Sequence, residues 1–154
     1  IAGQLPFGLS VIFTGHSVRS ADLIAHFLRW QDRQPREARE WTSAMGQSAA
    51  ELSHGIARQN FEQARRAVRQ GHQLFHRLGR SLQQPLLTGE LQLIHDLAEK
   101  HQGSAKPSGA GGGDIAFALF DNAQKRTSFE NDCRANGLSP LSLSIEPVGA
   151  KEDL

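Results

Sequence analysis

Nine residues, Lys106-Pro107-Ser108-Gly109-Ala110-Gly111-Gly112-Gly113-Asp114, run straight into the apolar hexapeptide Ile115-Ala116-Phe117-Ala118-Leu119-Phe120, and this junction restricts the fold more than any other stretch. Four of the nine are glycine. Such a run lets backbone N–H groups crowd around a ligand, or lets a second backbone approach closely. Lys106 adds a cation, Ser108 a hydroxyl and Asp114 a carboxylate where loop becomes strand, a composition suited to anionic groups. Glycine runs also serve as plain linkers. A linker needs no charge at both ends, and here the strand begins without polar padding. The order is not that of a Walker loop, in which Lys and Ser/Thr follow the glycines and open a helix. Asp114 has two readings, a ligand contact or an acceptor of local backbone N–H bonds.

The chain has 154 residues, enough for one domain with a sizeable core. Lys and Arg number 17 against 16 Asp and Glu, so no global charge draws it to nucleic acid or to an anionic membrane. Cys133 is the only cysteine, which excludes an intrachain disulfide and fits a reducing compartment. No stretch approaches the ~20 apolar residues of a membrane span, and no basic-then-apolar leader pattern is present. These features together predict a soluble, cytoplasmic protein with neither nucleic-acid nor membrane partners.

In chain order, Gly8 to Thr14 reads as a strand closed by Gly15. Ser20 is a plausible N-cap for a helix with Leu23, Ile24, Phe27 and Leu28 on one face, ending before Pro35. From Pro35 to about Gln59, and again after the potential cap Asn60, apolar residues recur at threes and fours, which predicts two long helices packed as an antiparallel pair. Pro85 breaks the pattern, and Thr88 can cap a shorter helix through Ala98. Ser104 to Pro107 leads to the glycine loop and the strand Ile115 to Phe120. A helix then runs from Ala123 to Asn136 with Gly137 after its end, and Leu141, Leu143 and Ile145 alternate as a last strand. Segregated helices favour an α+β domain with a small antiparallel sheet and helices on one face.

A second candidate site is Thr14-Gly15-His16-Ser17-Val18-Arg19-Ser20, where a strand end meets a helix start and orphan N–H groups attract anions. Its plainer reading is capping by Ser20. His72 and His76, four apart on a helix, lack the Glu and third ligand of a metal site and read as surface residues. Arg58, Arg65, Arg66, Arg69, Arg77 and Arg80 read as a solvated helix face. No catalytic side chain and no metal ligand is assigned.

The run Ala105 to Leu119, AKPSGAGGGDIAFAL, closely resembles the third motif of the GHMP small-molecule kinases, and its Asp-terminated loop looks most like that of the phosphomevalonate kinases. The resemblance is specific at the loop and diffuse over the helices. It implies a ferredoxin-like C-terminal domain with inserted helices between the first two strands, spanning residues 1–154. The loop residues Lys106, Ser108, Gly109, Ala110, Gly111, Gly112, Gly113 and Asp114 would then buttress the phosphates of substrate and ATP. The phosphomevalonate kinases carry a T-G-x-x-A-S-T-like turn near their substrate, and Thr14, Gly15, Ser17 and Ser20 look like its counterparts. Val18-Arg19 departs from that pattern, which makes Arg19 either an extra phosphate contact or a mark of another substrate. The family's P-x-x-x-G-L-G-S-S-like ATP loop is not in this sequence. The resemblance therefore implies a fragment of a longer kinase, inactive alone, with ATP and Mg²⁺ held mainly by an N-terminal domain of the same protein. Mevalonate kinase or another superfamily member, or a binding domain that has lost the chemistry, are the alternatives.

Overall fold

In the computed structural model, which describes residues 5–143, the first apolar run pairs directly with the run that follows the glycine loop. The elements are β1 (Gly8–Phe13), α1 (Ser20–Arg33), α2 (Pro35–Ala57), α3 (Phe61–Leu82), α4 (Gly89–Lys100), β2 (Ser104–Pro107), β3 (Ile115–Phe120), α5 (Ala123–Ala135) and β4 (Ser139–Leu141). The four strands form one antiparallel sheet in the order β2-β3-β1-β4. This is the α+β, ferredoxin-like arrangement expected, with α1, α2 and α3 inserted ahead of α4. The last strand is short, and Ile145 lies outside the described residues.

Helix boundaries follow local side-chain chemistry. Asn60, Thr88 and Asn122 each accept a bond from the backbone N–H three residues on, at 3.0, 3.3 and 2.9 Å, so α3, α4 and α5 start where capping predicts. Pro35 occupies the first turn of α2, where its missing N–H costs nothing. Ser20 departs from expectation. Arg19 holds the N-cap position without a side-chain bond, and Ser20 is already the first helical residue.

The α2–α3 pair is antiparallel, as its cross-links show. Trp41 Nε1 donates to the Leu74 carbonyl at 2.9 Å and Ser48 Oγ to that of Ala67 at 2.8 Å, while Gly55 meets Ala64, so residue numbers fall on one helix as they rise on the other. A Cβ on Gly55 would sit 2.6 Å from the Ala64 nitrogen, and this contact sets how closely the helices approach.

Strand register sorts the sheet into two sides. Ile12, Ala105, Ala116, Ala118 and Phe120 face α4 and α5, where Ile94, Leu97, Phe129 and Cys133 complete the largest buried cluster. The Phe120 and Phe129 rings pack at a tilt of 39° with centroids 4.9 Å apart. Burial pushes the Cys133 thiol up to about 12, which marks a packing residue, as expected, rather than a nucleophile. Leu9, Phe117 and Leu119 point the other way, toward Ala64, Val68 and Phe61 of the inserted α3. Helices α4 and α5 thus take the expected single face, and the inserted hairpin crosses part of the opposite one.

Two expectations about α3 are corrected. His72 is buried at 5% exposure, not a surface residue, because α4 closes over it; only His76 is exposed. Arg69 pairs with Glu99 of α4, and Arg65 donates to the Gln102 carbonyl at 3.0 Å, so these two cations tie α3 to its neighbours. Arg58, Arg66, Arg77 and Arg80 are exposed as expected.

Candidate functional site

Between β2 and β3 the glycine loop is closed at its base by the Ser108 N–H, which donates to the Ile115 carbonyl at 2.9 Å. Gly109, Gly111 and Gly112 have φ of 88°, 82° and 82°, and Asp114 enters the same left-handed region at 52°. A side chain is excluded at Gly111 by space as well as by φ: a Cβ there would lie 2.8 Å from the Leu86 carbonyl oxygen and 3.3 Å from the Phe75 ring.

Three points outside the loop hold it in shape. The Gly112 N–H donates to Leu86 O at 2.7 Å, which ties the loop to the segment joining α3 to α4. The Asp114 N–H donates to His16 O at 2.8 Å, and the Thr14 N–H donates to Asp114 O at 2.9 Å. Val18 Cγ2 would stand 2.8 Å from a Cβ on Gly113. The loop and the 14–20 turn, separate candidates in the sequence, are therefore one structure, doubly bonded at the ends of neighbouring strands.

The candidate residues take different places in it. Thr14 is buried, and its hydroxyl serves its own turn, donating to His16 O at 3.3 Å and accepting from the His16 N–H at 3.4 Å. Gly15, Ser17, Arg19 and Ser20 are exposed around the start of α1, and among the described residues Arg19 makes no ion pair. Ser108 and Gly109 are exposed at the loop rim, with Ala110 half-buried beside them. Among the described residues the backbone N–H groups of Gly109, Ala110, Gly111 and Gly113 have no backbone acceptor. Unpaired loop donors of this kind, together with the N-terminus of α1, can bind phosphate oxygens.

Lys106 does not belong to this rim. Its alternation partner is Phe117, and its side chain turns beneath the loop, where Nζ donates to Pro107 O at 2.7 Å and lies 5.3 and 5.0 Å from the Phe75 and Phe117 ring centroids. Its stem fills the space a Cβ on Gly71 would take, at 2.8 Å. Desolvation lowers the pKa of this ammonium from its ordinary value. It braces α3 against β2 under the loop. Beside the loop tip, an apolar cavity of about 240 Å³ is lined by Leu23, Phe27, Trp41, Phe75 and Ala110.

Sequence reasoning missed three things here. The Leu86 carbonyl anchor leaves no mark in a sequence, since any residue carries one. The cage around Lys106 follows from strand alternation, and the burial of His72 from its place four residues after Val68 on the buried stripe of α3. Among the described residues no three His, Cys, Asp or Glu side chains gather into a metal-binding group, and Asp114 is the carboxylate nearest the loop's chemistry. The loop's N–H groups without a backbone acceptor are thus of the kind that can cradle phosphate oxygens. None of the described helices is long and apolar enough to cross a membrane.

Comparison with known proteins agrees with this geometry. Residues 52–137 match the family model described as GHMP kinases C terminal. The chain is 30% identical over 142 residues to the phosphomevalonate kinase of Streptomyces sp. (strain CL190), covering 88% of this chain and 37% of that protein. The structure of Streptococcus pneumoniae phosphomevalonate kinase in complex with phosphomevalonate and AMPPNP matches 87% of the chain and 38% of its own, with TM-score 0.75 and 20% identity. L. major mevalonate kinase in complex with R-mevalonate matches 84% and 38%, with TM-score 0.73 and 19% identity. The chain thus spans less than two fifths of the length of these proteins, and it belongs to the GHMP kinase C-terminal family.

Proposed function

We propose that this chain is the C-terminal part of an ATP-dependent GHMP kinase that transfers a phosphoryl group from ATP to phosphomevalonate, giving diphosphomevalonate for isoprenoid synthesis. The observation that carries the reading is the double bond pair between Asp114 and the 14–16 turn, which brings the unpaired loop N–H groups beside the start of α1. Phosphoryl transfer asks the protein to position phosphates and to neutralise developing charge. Gly109, Ala110, Gly111 and Gly113 would donate N–H bonds to phosphate oxygens, with Ser17, Ser20 and the Arg19 guanidinium beside the substrate's own phosphate. ATP and Mg²⁺ would be held mainly by the N-terminal domain of the same protein, the metal supplying positive charge that would offset that of the phosphates. The 30% identity to a phosphomevalonate kinase supports this substrate class over others.

A second reading, mevalonate kinase, is favoured by the likeness to the L. major enzyme at TM-score 0.73. The exposed Arg19 speaks for the phosphorylated substrate, whose phosphate adds about two negative charges for a guanidinium to meet beyond the carboxylate that both acceptors carry. The test is an ADP-release assay on the full-length protein with Mg-ATP and either substrate. Turnover with phosphomevalonate far above that with mevalonate is expected; the reverse preference would assign mevalonate kinase. Absence of turnover with both would leave a binding domain.

A further inference from the structure

The ammonium of Lys106 has surroundings that its packing role alone does not explain. Its stem fills the gap over Gly71 of α3, and Nζ lies 5.3 and 5.0 Å from the Phe75 and Phe117 ring centroids. Helix α2 brings only the Ser48 hydroxyl toward the same gap, and that hydroxyl donates to Ala67 O. Among the described residues the Pro107 carbonyl is the acceptor of Nζ, and the other N–H donors of the ammonium find no protein partner. Desolvation lowers its pKa, and no carboxylate acts against that shift. For bracing alone an apolar chain of the same length serves better, because a desolvated ammonium without a counter-charge costs free energy.

Two routes connect this ammonium to the glycine loop. The first is a single peptide unit. Nζ donates to Pro107 O at 2.7 Å, and the N–H at the other end of that peptide, on Ser108, donates to Ile115 O at 2.9 Å and closes the base of the loop. A cation on the carbonyl polarises the peptide and strengthens its N–H as a donor. The second route is the Phe75 ring. Nζ lies 5.3 Å from its centroid, and a Cβ on Gly111 would lie 3.3 Å from its Cδ1 and Cε1. One aromatic ring thus separates the ammonium from the loop backbone, in apolar surroundings that screen a charge weakly. We propose that Lys106 is a positioning residue for phosphate: without touching the ligand, its ammonium supplies the positive charge under the loop against which phosphate oxygens bind, and holds the loop base closed through the Pro107–Ser108 peptide. The inference rests on the reading of the loop as a kinase's phosphate cradle and names the charge behind it. An anion in the loop and the proton on Lys106 then stabilise each other, and linkage makes the two effects equal in size.

The test titrates inorganic pyrophosphate into the full-length protein carrying isotope-labelled glycine and reads the NMR signals of the Gly109, Gly111 and Gly113 amides. Lys106→Met keeps the length of the stem and removes the charge. Its dissociation constant for pyrophosphate should rise about tenfold, while its urea midpoint stays level or rises. In the parent, the Lys106 ammonium, followed through its Cε–H signals, should titrate about one pH unit higher with pyrophosphate bound, which is the same tenfold expressed on the proton. Equal affinity in parent and variant would overturn the proposal and leave Lys106 an apolar brace. A Lys106 titration indifferent to pyrophosphate, or loop amides that pyrophosphate does not perturb, would overturn it equally. Should Lys106→Met fail to fold, the two titrations of the parent decide alone. Turnover is not part of the readout. A protein that prefers mevalonate, or phosphorylates neither substrate, can show the coupling, and a phosphomevalonate kinase can lack it.

Discussion

Against α4 and α5 the sheet presents Ile12, Ala118 and Phe120, each at 0% exposure, and Phe129 and Cys133 meet them at 0%. At the loop end the same strands finish differently. There, shape comes from backbone bonds among Ser108, Ile115, Gly112, Asp114, Thr14, His16 and Leu86, and four of the loop's nine residues carry no side chain. One region is specified by apolar volume and the other by dihedral angles and carbonyl positions. Stability and ligand geometry should therefore respond to different substitutions.

A crossed pair of variants in the full-length protein breaks that comparison most sharply. Phe129→Ala removes a fully buried ring and should cost roughly 3–5 kcal/mol of unfolding free energy, while kcat per folded molecule stays near the parent's. Gly111→Val forces a branched side chain against Leu86 O and Phe75. Turnover should fall about a hundredfold or more, the scale of a misplaced binding group, with helical circular dichroism nearly intact. Equal effects of the two variants on both stability and kcat would erase the distinction.

The same division explains what could be read in advance. Helix periods and the caps at Asn60, Thr88 and Asn122 are local side-chain signals, and they emerged where expected. Ser20 is already inside α1 rather than its cap, and the turn ahead of it is tied by Asp114 and His16, which are 98 residues apart and bond through backbone atoms alone. Loop and turn could each be suspected of anion binding from composition. Their joining needed the strand pairing of Phe13 with Ile115, which no local pattern encodes. Charge beside glycine makes Lys106 read as a loop cation. Its alternation with Ala105 and Pro107 already put it on the side of Phe117, where a cation finds rings and a carbonyl rather than solvent.

The contact between α3 and α4 lies between these extremes, since it is buried yet polar. The His72 ring stacks on His95 at 3.7 Å and 12°, its Nε2 is 3.2 Å from Gln92 Oε1, and its Nδ1 is buried without a partner among the described residues. Burial, and secondarily the neighbouring His95, lowers its pKa from 6.5 to about 4, against opposing contributions from Gln92 and Asp96. The folded chain thus favours neutral His72. Its stability contribution is complete above pH 6.5 and is lost as pH falls toward 4, at up to about 1.4 kcal/mol per pH unit. Urea midpoints measured at pH 7 and pH 5 should fall more for the parent than for His72→Gln. Parallel losses would place the acid sensitivity elsewhere.

Arg19 tests the smallest and most specific difference between the regions, an exposed cation beside a backbone-built cradle. A phosphorylated substrate carries about two negative charges, and a charge-assisted bond to a guanidinium contributes roughly 1.5–3 kcal/mol. In the full-length protein, Arg19→Ala should raise KM for phosphomevalonate about tenfold or more. KM for ATP should change far less, because the loop N–H groups proposed to meet nucleotide phosphates do not depend on this side chain. Arg19→Lys should recover only part of the loss, since an ammonium keeps the charge but not the planar fork that grips two phosphate oxygens. Stability should stay within about 0.5 kcal/mol, as for other exposed positions without partners. Unchanged KM for both substrates would mean that Arg19 faces solvent in the assembled enzyme, leaving Ser17, Ser20 and the loop to hold the substrate's phosphate without it.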